Sequence, residues 1–146
     1  MRLTLTFCLA ALSADLWAAD PFPGVWKLNA AQSKFDPGPA PKSLTTTWTE
    51  AAGGTKIASS GVHQDGRAIQ AEYIAVYDGK ERTKPGPWNF NSVVNRQIAE
   101  NHREDIFKKD GVVAGTVKLV VSEDGKVLTM TWNYGELRDI RVFDRE

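Results

Sequence analysis

The residue types that most often perform catalysis or bind metals are sparse in this sequence. The two histidines, His63 and His102, lie far apart, whereas a metal site usually takes several ligands at short spacing. His63 is beside a predicted turn at Asp65-Gly66, and His102 follows a predicted turn at Glu100-Asn101. We interpret both as exposed turn residues, since an ordinary imidazole is readily hydrated. The sequence therefore predicts no metal site.

No combination of catalytic residue types stands out either. Glu72-Tyr73 could pair a general base with a phenol, but neighbours on a strand point to opposite faces of the sheet. Nucleophile elbows, phosphate loops and Ser/His/Asp spacings are not visible. A charged run is interpreted as a solvated outer face: Arg103, Glu104 and Asp105, with Lys108 and Lys109. The catalytic residues, if any, stay unknown, and no cofactor is predicted.

Aromatic and apolar side chains at alternating positions are the strongest candidates for a site. Residues two apart on a strand share a face, so such a set can line a cavity together. The predicted ligand-binding residues are Trp48, Tyr73, Tyr77, Met130, Trp132 and Tyr134. The alternative, which the sequence leaves open, is that these side chains simply fill a core.

Period-two patterning shows the elements that must position these residues. It is clear over 43–50, 68–77, 117–122 and 127–134, and in the final stretch, where Ile140 and Val142 alternate with Arg141. It is weaker over 55–63, 92–98 and 102–109. Asp-Gly pairs at 65–66, 78–79, 110–111 and 124–125 are interpreted as hairpin turns, because glycine and aspartate tolerate positive φ. One helical turn is predicted over Ala30–Phe35, with Asn29 as its cap.

These elements predict an all-β, antiparallel, up-and-down barrel of eight or nine strands with at most one short helical turn. Closing the sheet removes the exposed edges that a flat meander would have to protect. A barrel of this size has an interior just large enough for its own side chains or one small ligand.

The first 19 residues have the pattern of a secretory signal. Arg2 supplies a positive start, Leu3–Leu12 is apolar, and small residues follow, which predicts cleavage after Ala18 or Ala19. The apolar run is too short to span a bilayer. The predicted location is secreted or periplasmic.

The mature chain, residues 20–146, is predicted to be a single domain without an integral membrane segment. Cys8 is the only cysteine and is lost with the signal, so disulfides, thiolate catalysis and cysteine zinc sites are excluded. The 18 basic residues balance the 18 acidic ones, which argues against a nucleic-acid partner.

Gly24-Val25-Trp26 resembles the Gly-x-Trp signature of the lipocalins and their calycin relatives. The wider pattern is similar to a family of short secreted bacterial proteins whose activities are mostly uncharacterised. The segments that carry this likeness are Trp26–Asn29, Ser33–Phe35, Pro37–Lys42, Glu72-Tyr73, Tyr77–Lys80 and Val121–Thr129. The lipocalin resemblance implies that Trp26 closes the base of the barrel and that an arginine near the chain end, Arg141 or Arg145, lies across it.

The leading functional hypothesis is a lipocalin-like barrel that binds a small apolar or amphipathic molecule inside. The first alternative is an interaction or inhibitor module with a filled barrel, whose protein partner contacts the proline-rich loops 36–42 and 84–88, with Trp88 as an anchor. The second alternative is an isomerase or hydrolase that uses Tyr73 and one buried charge. It requires an interior polar group whose pKa is shifted toward neutrality.

Overall fold

A computed structural model describes residues 19–146. The predicted signal over residues 1–19 lies outside the described residues except for Ala19. Ten strands form one antiparallel sheet. They are β1 (Gly24–Leu28), β2 (Ser43–Ala51), β3 (Gly54–Val62), β4 (Ala68–Ala75), β5 (Asp78–Thr83), β6 (Ser92–Ala99), β7 (His102–Lys109), β8 (Val112–Val121), β9 (Val127–Tyr134) and β10 (Ile140–Arg145). The helical content of residues 19–146 is one 3-10 turn at Ala30–Gln32, where Asn29 Oδ1 accepts a hydrogen bond from Gln32 N.

The sheet curls because its first strand pairs with its last. The strand order is β4-β3-β2-β1-β10-β9-β8-β7-β6-β5, and Trp26 on β1 lies opposite both Thr46 on β2 and Arg145 on β10. The two edge strands, β4 and β5, are consecutive in the chain, yet they are not hydrogen-bonded to each other. We call the gap between them the seam.

Successive strands run in opposite directions, so the connections alternate between two ends of the barrel. One end, the floor, holds the turns between β2 and β3, β6 and β7, and β8 and β9. The other end holds both proline-rich segments, 36–42 and 84–88, and we call it the open end. Among residues 19–146, no helix is long and apolar enough to cross a membrane.

The all-β antiparallel barrel is confirmed, with ten strands where eight or nine were expected, but the expected closure is incomplete because the edge strands β4 and β5 do not pair. Three of the four Asp-Gly pairs form turns between paired strands, and the prediction of a fourth hairpin at Asp78-Gly79 is wrong. Because β4 and β5 lie at opposite edges of the sheet, no hairpin can join them. Gly79 instead takes a φ of 77° within β5, where the pairing with β6 shifts register between Asp78 and Glu81.

Aromatic side chains fill the floor. Trp26 is 0% exposed, and its Nε1 donates to the Phe22 carbonyl at 2.9 Å. The Phe22 ring stacks on Trp48, with ring centroids 5.6 Å apart. An aromatic side chain buries about 150–250 Å², which at about 25 cal/mol/Å² contributes roughly 4–6 kcal/mol before entropy losses. Residues 20–26 therefore close this end of the barrel.

Candidate functional site

Two adjoining cavities occupy the space above the floor. The first, of about 550 Å³, lies between the proline-rich segment 37–41 and the inward faces of β2, β3, β4, β8, β9 and β10, and we call it the inner chamber. The second, of about 810 Å³, lies along the seam and extends to the 84–90 loop, and we call it the seam chamber. Both are lined by Ala71, Tyr73, Asp105 and Trp132. These four shared residues form the boundary between the chambers.

The structure brings five of the six predicted ligand-binding residues onto chamber walls. Trp48 and Met130 line the inner chamber, Tyr134 lines the seam chamber, and Tyr73 and Trp132 line both. Tyr77 lines neither chamber. It follows the end of β4 near the floor, where its ring lies 4.3 Å from the Arg103 guanidinium.

A row of stacked rings connects the boundary to the open end. Trp88, 51% exposed, stacks on Phe90 with centroids 5.9 Å apart, and Phe90 lies 4.7 Å from Phe107. Phe107 in turn stacks on Trp132 at 6.4 Å. The exposed tryptophan of the 84–88 loop is therefore the outer end of an aromatic wall of the seam chamber.

The prediction that the charged run on β7 is a solvated outer face is wrong for two of its residues. Arg103 and Asp105 are 5% and 4% exposed, on the same inward face as Phe107. Glu104 pairs with Arg96 on the outer face, Lys108 pairs with Glu81, and Lys109 is exposed, as expected for those residues. The signal that could have placed Asp105 inside is its even spacing from Phe107 on one strand.

Asp105 is the buried carboxyl at the boundary between the chambers. Asn95 Nδ2 donates to its Oδ1 at 2.6 Å. Burial raises the pKa of Asp105 to about 6, against the opposing effects of that hydrogen bond and of the positive charges on Arg103 and Lys84. An interior group with a pKa near neutrality is the feature that the isomerase or hydrolase alternative requires, and a ligand that forms hydrogen bonds would also use it.

The two phenols near this carboxyl stay protonated at neutral pH. Burial, and then the Asp105 charge, raise the pKa values of both Tyr73 and Tyr77 above the usual range. Lys84 Nζ lies 4.3 Å from the centre of the Tyr73 ring across the seam, and burial lowers the pKa of this amine. The Tyr77 hydroxyl and the Trp132 indole N–H are buried without a hydrogen-bond partner among residues 19–146.

Arg103 joins this boundary to the floor. Its guanidinium donates to Asp20 and to Gln97, each at 2.7 Å, and lies 4.2 Å from the centre of the Phe22 ring. Arg103 therefore forms an ion pair with Asp20, while its flat face packs against aromatic rings and its positive charge still acts on Asp105.

The two predicted closing arginines occupy different places. Arg145 lies 4.1 Å from the centre of the Trp26 ring and donates to the carbonyls of Pro21, Pro23 and Gly125. Arg141 does not reach Trp26.

Arg141 instead lines the inner chamber. Its guanidinium lies 4.5 Å from the centre of the Trp132 ring and donates to Asp139 at 2.7 Å. The inward face of β10 is thus the one with Arg141 and Phe143, and the expectation of an inward Ile140 is wrong, since that side chain is exposed. Neutralisation by Asp139 is what allows a charged residue at this position.

The two histidines have different surroundings. His63 is exposed beside the β3–β4 turn, as expected, and lines the inner chamber. His102 differs from the expectation of an exposed turn residue, because it begins β7 and is half-buried, with Nε2 enclosed. Within residues 19–146, no group of three or more His, Cys, Asp or Glu side chains could hold a metal ion.

Comparison with solved structures shows where this barrel belongs among known folds. The fluorescent protein UnaG is 14% identical, with a TM-score of 0.56 over 86% of this chain and 97% of that one. A Schistosoma mansoni fatty acid binding protein, solved in complex with arachidonic acid, is 15% identical, with a TM-score of 0.56 over 89% of this chain and 99% of that one. No family model matches the chain, and no curated protein does. The chain therefore shares the β-barrel fold of these two structures.

Proposed function

We propose that this protein binds one small apolar or amphipathic molecule inside its barrel. The observation that carries the proposal is the pair of adjoining chambers, of about 550 and 810 Å³, lined largely by aromatic and aliphatic side chains. Ligand sites of known proteins are concave, mostly apolar and about 300–1,000 Å³ in volume, with a few placed polar groups. Asp105 and Arg141 are the placed polar groups here.

The fold comparison supports the same function. The Schistosoma mansoni fatty acid binding protein, which shares this fold, was solved in complex with arachidonic acid. Burying about 300 Å² of apolar ligand surface would contribute roughly 7 kcal/mol before the losses on association. A micromolar dissociation constant needs about 8 kcal/mol net, so apolar burial must be supplemented by shape and by polar contacts.

The test is binding of octadecanoate to delipidated protein, followed by native mass spectrometry and by displacement of a fluorescent naphthalene sulfonate probe. We expect one molecule per chain. Ala71→Phe places a ring at the boundary between the chambers. It should weaken ligand binding at least about tenfold, because the barrel cannot readily rearrange to make room for both the ring and the ligand. Ala58→Phe on β3 is the matched control, because Ala58 alternates with the chamber-lining Ile57 and Ser59 and points outward. Absence of saturable binding would overturn the proposal.

We also propose that the chain is exported, on the support of the signal pattern in residues 1–19. Full-length chain expressed in a Gram-negative host should be recovered from the periplasm with Ala19 or Asp20 as its first residue. Leu5→Arg interrupts the apolar run and should leave the chain uncleaved inside the cell. Recovery of unsubstituted protein in the cytoplasm, still beginning at Met1, would contradict export.

A protein partner that contacts the proline-rich loops is the second candidate function. It is favoured by the exposure of Trp88 at the open end, since tryptophan is enriched among interface anchors. Capture of a partner from the native periplasm should be lost in Trp88→Ala and retained in Ala58→Phe. Equal capture by both variants would eliminate this loop as the docking surface.

A further inference from the structure

An acceptor and a donor lie at the boundary between the chambers. Asp105, whose Oδ1 accepts a hydrogen bond from Asn95 Nδ2, lines both chambers, and so does Trp132. The Trp132 indole N–H is buried without a hydrogen-bond partner among residues 19–146. A buried polar atom without a hydrogen bond is destabilising, and native proteins rarely retain one without a reason. A polar group on the bound molecule would supply the missing contact.

The charges facing Asp105 indicate which polar group fits. Arg103 on the same strand and Lys84 across the seam are positive, Tyr73 and Tyr77 are neutral phenols, and Asn95 is an amide. A ligand ammonium here would meet two cations, and a ligand carboxylate would meet the buried Asp105 anion. A neutral donor avoids both repulsions. A hydroxyl is the simplest such group.

The place of Asp105 in the barrel indicates where along the ligand the polar group lies. Asp105 lies midway along β7 and faces both chambers, while apolar walls extend from it in both directions. We propose that the ligand extends through both chambers and bears, near its middle, a hydroxyl group that donates a hydrogen bond to the Asp105 carboxylate. This rests on the proposed function and narrows its ligand class to hydroxylated, otherwise apolar chains or ring systems.

Three probes of equal chain length test the proposal: octadecanoate, 12-hydroxyoctadecanoate and 12-oxooctadecanoate. The hydroxyl can donate to Asp105, whereas the ketone can only accept. At pH 8 we expect the hydroxy acid to bind about tenfold or more tightly than octadecanoate, from the typical strength of a hydrogen bond to a charged group. The oxo acid should bind no more tightly than octadecanoate.

Asp105→Asn should bring the hydroxy and oxo acids to within about threefold of each other, since an amide can both donate and accept. Glu104→Gln is the matched control, with the same chemical change on the same strand but on the outer face, and it should keep the wild-type preference. In wild-type protein, the preference should also fall between pH 8 and pH 5 as Asp105 becomes protonated. This pH series tests the proposal even if the variant does not fold.

The outcomes separate the two proposals. If octadecanoate binds and the hydroxy acid binds no better, or if its preference survives Asp105→Asn, the hydroxyl inference is overturned while ligand binding stands. If none of the three probes binds, both proposals fail.

Discussion

At neutral pH, the wild-type protein with an ionised Asp105 should be less stable than the Asp105→Asn variant, which carries no charge at this position. Burial raises the pKa of this carboxyl from 3.8 to about 6. A pKa difference of about two corresponds to roughly 3 kcal/mol, at 1.36 kcal/mol for each tenfold change in proton affinity. Asp105→Asn keeps a carbonyl oxygen for Asn95 and removes the charge. The free energy of unfolding should therefore rise by up to about 3 kcal/mol at pH 7–8.

The stability difference between Asp105→Asn and wild type should depend on pH, because Asp105 titrates differently in the folded and unfolded states. Between pH 3.8 and pH 6 the folded state holds the Asp105 proton more tightly than the unfolded state, so wild-type stability falls as pH rises through this window. The difference in free energy of unfolding between Asp105→Asn and wild type should be near zero at pH 3.5, grow as pH rises through this window, and level off above about pH 7. Arg103 and Lys84 lose a neighbouring anion in the variant, which makes the full figure an upper limit.

Urea unfolding followed by tryptophan fluorescence, at pH 3.5 to 8, measures the difference directly. Glu104→Gln removes a carboxylate from the outer face together with its ion pair to Arg96, and should lower stability by about 1–3 kcal/mol, without a gain at neutral pH. Two results would refute the reasoning: a variant that is less stable than wild type at pH 8, or a stability difference that does not change with pH.

Three further predictions concern the floor, the sheet and the open end, each read from urea or thermal unfolding. Arg145→Leu removes three hydrogen bonds to carbonyls and the contact with Trp26, and should lower the free energy of unfolding by about 2–4 kcal/mol; an unchanged value would contradict its closing role. Gly61→Ala would place a Cβ 2.1 Å from the Ser43 carbonyl oxygen, and should destabilise by about 2 kcal/mol or more; a neutral result would mean that β2 and β3 can separate there. Trp88→Ala should lower stability by less than about 1 kcal/mol because the ring is half exposed, and a larger loss would show that the loop supports the barrel.

Strands with apolar alternation, clear or weak, can be placed from sequence, and a strand without it cannot. The range 127–134 is predicted and observed as β9, because four large inward residues alternate with smaller or polar ones. β5 was missed because DGKERT has no apolar member to alternate. Its place in the sheet comes from backbone pairing with β6, and the pattern of apolar side chains does not indicate that pairing.

The candidate site shows the same division between its apolar and charged parts. Five of the six predicted ligand-binding residues lie on chamber walls, since large apolar side chains on one strand face go inward together, and their role in ligand binding stays a prediction. The sequence places Asp105 outward because isolated charges avoid interiors, and the lipocalin resemblance places Arg141 or Arg145 at the base of the barrel; Arg141 lines the inner chamber instead. Their neutralising or hydrogen-bonding partners come from other strands or from side-chain geometry, and a single sequence does not reveal these pairings.

The pairing of β1 with β10 governs when this protein can finish folding. Strands β2 to β4 and β6 to β9 can form local hairpins during synthesis, but β1 acquires its second neighbour only after Ile140–Arg145 have left the ribosome. Pairing the first strand with the last is the longest loop closure the chain can make, and contacts of that kind slow folding. The sheet therefore cannot be completed before β10 has emerged, because β1 lacks one of its two neighbours until then.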